Sequence, residues 1–190
     1  MDLIPFGEDG WLLLTDDPIA VATTIDRHGL DDVVPGERHV LLRGPRDRAQ
    51  AAVDVLPADP PRLAPREPAL LNATWDGPDL QQVAEAAAMS RDSVISLLEE
   101  AILTVAFCGF APGFAYMTGL DRRLHLPRRE RPRPQVPAGS IAIAAGYCAV
   151  YPTASPGGWH LVGRCDVWLF DPDREPPALL APGDQVRFVR

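Results

Sequence analysis

Gly109-Phe110-Ala111-Pro112-Gly113-Phe114, Pro127-Arg128-Arg129-Glu130-Arg131-Pro132-Arg133-Pro134-Gln135-Val136-Pro137-Ala138-Gly139-Ser140 and Ser155-Pro156-Gly157-Gly158-Trp159-His160 punctuate the stretch that opens at Cys108. Proline fixes φ and removes a backbone donor, and glycine supplies conformations other residues avoid, so each segment reads as a defined loop between strands rather than part of a ladder. The runs around them read as those strands: Thr104–Phe107, Ile141–Ala145, Tyr147–Tyr151, His160–Val162, Asp166–Phe170 and Gln185–Val189. Ala181-Pro182-Gly183-Asp184 has the proline and glycine of a type II turn leading into the last run. Many short strands joined by Gly/Pro turns predict a small closed or half-closed barrel.

N-terminal to the barrel, Asp76-Gly77-Pro78-Asp79 reads as a turn and helix cap. A helix follows over Leu80–Met89, with Val83, Ala84, Ala87 and Ala88 on one face, and a Ser90-capped helix runs to about Ala101. Earlier still, the order is strand (Gly10–Thr15), helix from Asp17-Pro18 to about His28, a Val33-Val34 strand hairpinned to His39–Gly44, helix (Arg46–Val55) and strand (Ala69–Trp75). A β-α-β-β-α-β order predicts a ferredoxin-like unit, with the stiff connection Pro57–Pro65 before its last strand. The expected organisation is therefore α+β: a ferredoxin-like domain over 1–75 and a β-barrel domain over 76–190.

The 190 residues are 46% apolar, enough for a buried core, and carry a formal charge of −8, which argues against a nucleic-acid partner. Residues 1–100 hold 19 acidic residues against 8 arginines, residues 101–190 hold 7 against 10, so the second half draws anions. All 18 strong bases are arginine. Without lysine, a Walker A loop and a Schiff-base nucleophile are excluded from this chain. Cys108, Cys148 and Cys165 lack metal-ligand spacing, no metal constellation is visible among the histidines, and Asp171-Pro172-Asp173 lacks the rest of a calcium loop. The N-terminus lacks signal-peptide character, and no apolar run approaches the roughly 18 residues of a membrane span. A soluble, cytoplasmic protein is expected.

Six arginines between residues 122 and 133, against Asp121 and Glu130, concentrate positive charge. The guanidinium forks of Arg128 and Arg129 suit carboxylate or phosphate. Arg164, among strand residues, reads either as a ligand contact or as one half of an ion pair with Asp166 or Asp171. Ser140 and Ser155 would need an adjacent base to act as nucleophiles, and His160 is the nearest in sequence. Without a Gly-x-Ser-x-Gly elbow the better expectation is that the Gly139, Gly157 and Gly158 turns hold an oxyanion or carboxylate through N–H groups. Phe114, Tyr147, Tyr151 and Trp159 are candidate pocket walls.

Together with Gly119-Leu120-Asp121, Val136-Pro137-Ala138-Gly139-Ser140, Tyr151-Pro152, Gly163-Arg164, Leu169-Phe170-Asp171-Pro172 and Leu180-Ala181-Pro182-Gly183-Asp184, these motifs resemble the family of the 5-oxoprolinase B subunit. That family also comprises allophanate hydrolase subunit 1, the carboxyltransferase domain and Kip-type inhibitors of a sporulation histidine kinase. The resemblance is dense over residues 76–190. It implies a cyclophilin-like barrel after a ferredoxin-like domain, pairing with a homologous C-type chain and an A-type chain, and ATP-dependent opening of 5-oxoproline to glutamate. ATP would act through the assembled complex, and the barrel cleft would take a small carboxylate or lactam. Leu98, Leu103 and Thr104 stand where the family has a histidine and then a Tyr-Arg pair, Ala145-Gly146-Tyr147-Cys148 where it reads Gly-Gly-Gln-Thr, and His160 where it has glutamine. Two alternatives stay open: a non-catalytic inhibitor of a histidine kinase, and a repurposed pocket for a more apolar small molecule.

Overall fold

The computed structural model describes residues 2–62, 64 and 66–190. The first unit contains β1 (Leu3–Phe6), β2 (Gly10–Leu14), α1 (Pro18–Thr24), β3 (Asp32–Pro35), β4 (His39–Arg43) and α2 (Arg46–Asp54). Asp17 caps α1 through a carboxylate oxygen that accepts from the Ala20 N–H at 3.1 Å, and Pro18 opens the helix where its missing N–H costs nothing. The strands form an antiparallel sheet in the order β1-β2-β4-β3. Its register sets Leu13 opposite Val40 and Val33 opposite Leu42, which puts all four on one face. That face is buried beneath Val21 and Ala22 of α1 and Ala49, Ala52 and Val53 of α2.

From β2 to α2 the unit follows the ferredoxin-like order, but its last strand is not the one expected. The edge beside β2 is filled by β1, which precedes it in the chain, while the Ala69–Thr74 strand lies in the barrel. Alternation identifies that segment as a strand, and strand character alone does not choose a sheet. The chain accordingly divides into compact units Met1–Ala64 and Pro65–Arg190 rather than near residue 76.

The second unit contains β5 (Ala69–Thr74), α3 (Leu80–Ala86), α4 (Arg91–Glu100), β6 (Leu103–Cys108), β7 (Ala115–Thr118), a 3₁₀ turn (Arg122–Leu124), β8 (Arg133–Val136), β9 (Ser140–Ala144), β10 (Tyr147–Val150), β11 (Ser155–Gly157), β12 (His160–Cys165) and β13 (Gln185–Val189). Seven of these strands close a barrel in the order β10-β7-β6-β13-β5-β12-β9. Closure removes the free edges that an open sheet of short strands would present. The β13–β5 pair is parallel and the others are antiparallel. Leu71, Leu103, Met117, Ile141, Ile143 and Phe188 fill one continuous core together with Leu80 and Val83 of α3 and Val94 and Leu98 of α4.

Two expectations need correction. Asp166–Phe170 is not a strand: it keeps an in–out alternation, with Trp168 exposed and Leu169 buried, but makes a single bridge, Phe170 to Ala178. Conversely, two of the proline-bearing loops are ladder-forming. β8 pairs with β11, Val136 opposite Ser155 and Arg133 opposite Gly157, with an irregularity between. A two-stranded ribbon has two free edges, where a proline costs no interior hydrogen bond.

The turn before α3 lies directly on β12, with Gly77 N–H donating to the Val162 carbonyl at 3.3 Å and Asp79 N–H to that of Leu161 at 3.0 Å. A Cβ on Gly77 would collide with the backbone of Leu161, Val162 and Gly163. Gly77→Ala is expected to cost about 2–3 kcal/mol, as overpacking against rigid backbone does. Urea denaturation measures it, and an unchanged midpoint would mean the turn can lift off the strand.

Candidate functional site

The site begins with the two-residue period of β9 and β10. Ile141, Ile143, Cys148 and Val150 point into the barrel, so Ala142, Ala144 and Ala149 point out. These small side chains leave room on the outer surface for an aromatic layer. Phe114 sits at its centre, with ring centroids 4.9 Å from Tyr116, 5.2 Å from Tyr151 and 5.8 Å from Trp159. Tyr116 stacks on Phe107 at 4.4 Å and meets Tyr147 edge-on at 5.9 Å. Phe114, Tyr151 and Trp159 are buried, so they build a packed wall, while Tyr116 and Tyr147 are half-exposed. Gly157 is part of this packing: a side chain there would collide with the Tyr151 hydroxyl.

Around this wall the arginines divide into two groups. Arg129 Nη1 and Arg133 Nη2 each lie 2.7 Å from the same Asp79 oxygen, and the other Asp79 oxygen accepts the Leu161 N–H at 2.7 Å. Asp79 is 4% exposed. Burial alone would raise its pKa, but the Arg133 and Leu161 hydrogen bonds and the two guanidinium charges outweigh it and hold the carboxyl below its ordinary value. Asp79 is expected from its position to cap α3, yet its side chain makes no cap hydrogen bond. It reaches instead to partners 50 and 54 positions away, which local patterning cannot reveal.

Arg128, next in sequence to Arg129, is exposed and makes no ion pair among the described residues. Burial pushes the phenols of Tyr116 and Tyr151 above their usual range, and the charge of Arg128 opposes that shift in both. Both phenols therefore keep their protons at neutral pH. Arg164 lies elsewhere on β12 and donates from Nε to Asp76 at 2.8 Å, so neither Asp166 nor Asp171 is its partner.

The remaining candidates have structural partners. Gly139, with φ of +78°, donates to the Tyr151 carbonyl and accepts from Cys165 N–H, each at 2.7 Å, so its N–H is not available to an oxyanion. Ser140 is buried at the start of β9. The Ser155 hydroxyl donates to the Thr153 carbonyl at 3.3 Å. Gly158 accepts from Arg129 N–H at 2.8 Å, which anchors the arginine loop. His160, 7% exposed, has Nε2 at 2.9 Å from the Pro127 carbonyl, an acceptor, so Nε2 carries the proton. No serine–histidine hydrogen bond is found among the described residues, and no group of three or more His, Cys, Asp or Glu could hold a metal there. The thiols of Cys148 and Cys165 are pushed by burial up to about 12 and about 11, so both stay protonated.

A cleft of about 440 Å³ runs between α3 and the arginine loop, its lining including Gln82, Arg128, Arg129, Glu130, Arg131 and His160. Arg128 lines this cleft, and its loop is held next to the aromatic wall by the Arg129 N–H bond to Gly158, beside the Gly157 that packs on Tyr151. The arrangement presents two guanidinium groups without an ion pair among the described residues, Arg128 and Arg131, with the Glu130 carboxylate between them in sequence and the half-buried phenol of Tyr116 on the aromatic wall. Guanidinium forks beside aromatic surface have the chemistry to hold a small anion.

Comparison with known proteins gives a consistent picture. A family model described as "Carboxyltransferase domain, subdomain C and D" matches residues 13–180. The 5-oxoprolinase B subunit of Escherichia coli O157:H7 is 37% identical over 202 aligned positions, which cover 96% of this chain and 93% of that protein. The 5-oxoprolinase B subunit of Bacillus subtilis (strain 168) is 45% identical over 114 positions, 60% of this chain and 48% of that one. Among solved structures, TTHA0988 superposes with a TM-score of 0.85 at 33% identity, over 95% of this chain and 40% of that chain. The Kluyveromyces lactis urea carboxylase, at 20% identity and a TM-score of 0.76 over 98% of this chain and 21% of that one, shares the fold. The chain thus spans about half of the Bacillus relative and less than half of TTHA0988.

Proposed function

The chain belongs to the carboxyltransferase-domain family that includes the 5-oxoprolinase B subunit, and on that premise we propose that it is the B-type component of an ATP-dependent 5-oxoprolinase, acting in the cytoplasm and holding a small carboxylate at Arg128. The observation that carries this reading is the division of the arginines. Asp79 pairs with both Arg129 and Arg133, while Arg128, in the same loop, is exposed and makes no ion pair among the described residues. A free guanidinium fork takes a carboxylate by charge and by paired hydrogen bonds, and the half-buried phenol of Tyr116 offers a further donor on the wall.

The chain's own contribution is binding and orientation. Opening a lactam needs an activated amide and a nucleophile, and the described residues offer no paired nucleophile and base. A chain without lysine has no Walker A loop, so ATP-dependent activation belongs to an A-type partner, with a C-type chain completing the complex. Leu98 and Leu103 are core residues and Thr104 lies within β6, so the departures at those positions leave the Arg128 wall intact.

Reconstitution tests the reading. The chain combined with A- and C-type partners is expected to release glutamate from 5-oxoproline in an ATP-dependent manner, with activity lost when this chain is omitted. A complete complex that releases none overturns it.

A further inference from the structure

Phe110 belongs to the first of the three proline- and glycine-rich loops, outside the buried core. Its φ is +69°, a conformation that costs a bulky residue free energy and that glycine or asparagine would adopt with little or none. Its ring is 60% exposed, so burial does not offset that cost. The loop is held in this shape by short hydrogen bonds, Ala111 N–H to the Gly109 carbonyl at 2.8 Å, Phe114 N–H to that of Ala111 at 3.0 Å and Gly109 N–H to that of Phe114 at 3.1 Å. An exposed aromatic kept in a strained backbone is a residue retained for something other than folding.

The surroundings indicate what that is. The Phe110 ring stands edge-on to Phe114 at 5.1 Å and to Tyr151 at 6.4 Å. The loop that carries Arg128 runs past the same tyrosine: Arg129 N–H donates to the Gly158 carbonyl at 2.8 Å, and the adjacent Gly157 packs against the Tyr151 hydroxyl. Phe110 and the Arg128 loop therefore border the same aromatic wall, one offering an apolar ring face and the other a cation.

We infer that Phe110 is a substrate-contacting, specificity-determining residue whose exposed ring packs on the apolar face of the ligand whose carboxylate Arg128 takes. The preferred ligand is then a compact cyclic carboxylate, such as a lactam acid, over its open-chain counterpart, which has no ring face to offer and carries additional charge. This rests on the reading of Arg128 as the carboxylate site.

Calorimetric titration of 5-oxoproline and of glutamate into the full chain, with and without its A- and C-type partners, separates the role of Phe110 from that of Arg128. Phe110→Gly and Phe110→Asn are expected to melt no lower than the parent, because both suit the backbone, and to bind 5-oxoproline at least tenfold more weakly with glutamate little affected. Phe110→Tyr, which keeps the ring, is expected to stay within about threefold of the parent. Parental affinity in both Phe110→Gly and Phe110→Asn overturns the role of Phe110. If Arg128→Ala abolishes binding in that same series, the carboxylate reading survives without it. No binding of 5-oxoproline to the parent in either form overturns both.

Discussion

Asp79→Ala is expected to destabilise the barrel unit by about 3–5 kcal/mol, the range for removing one partner of a buried ion pair. Its carboxylate ties together four parts of the chain: the start of α3, the arginine loop through Arg129, β8 through Arg133 and β12 through Leu161 N–H. Without it, two guanidinium groups and one backbone donor lose their acceptor together. Gln82 Oε1, 3.5 Å from Arg129 Nη1, is a distant substitute, and Arg129 Nε and Arg133 Nη1 are already buried without a partner among the described residues. Asp79→Asn keeps an acceptor for Leu161 and loses the charge, so its cost should be smaller. The pH dependence has a definite sign. The folded-state carboxyl titrates below its ordinary value. Its contribution is therefore fully present above the unfolded pKa of about 3.9 and is lost as pH falls through the lower folded-state pKa. Urea denaturation of the parent and Asp79→Asn should give curves that separate at pH 7 and converge in acid. A loss below about 1 kcal/mol for Asp79→Ala would place the pair among weak surface ion pairs.

Arg128→Ala is expected to have the opposite character. The side chain is exposed and unpaired among the described residues, so its removal should change stability by no more than about 0.5 kcal/mol. In the reconstituted complex the same change should lower kcat/KM for 5-oxoproline at least about 100-fold, which is about 2.7 kcal/mol of lost transition-state binding. Arg128→Lys should recover only part, because an ammonium cannot replace the planar fork. Parental kcat/KM in Arg128→Ala would remove Arg128 from the site.

The barrel is legible in the sequence because its signals are local and repeated. The apolar runs Ile141–Ala145 and Tyr147–Tyr151, the Pro182-Gly183 turn with Gly183 at φ +93°, and the Ser90 and Asp17 caps all reappear in the structure. The features that escape such a reading depend on distant partners. Ala69–Thr74 has the alternation of a strand, yet only the parallel pairing with β13 decides its sheet. The prolines of β8 and β11 argue against a ladder until each segment is seen to be the other's sole neighbour in a two-stranded ribbon. Asp79 satisfies the pattern of a helix cap completely, so nothing local points to Arg129 and Arg133. Within the candidate site, aromatic residues and loop arginines are recognisable by type. Which aromatics form the packed wall and which arginines Asp79 takes are properties of the folded surface alone.

On the proposed reading, Arg129, paired with Asp79, is structural and the adjacent Arg128 is functional. Arg128→Ala and Arg129→Ala, compared side by side for urea midpoint and for ATP-dependent glutamate release in the reconstituted complex, test this division most directly. The expected result is a crossing: Arg128→Ala keeps the parental midpoint and loses turnover at least about 100-fold, while Arg129→Ala lowers stability by about 2–3 kcal/mol. Turnover that survives Arg128→Ala, together with a parental midpoint for Arg129→Ala, would contradict it.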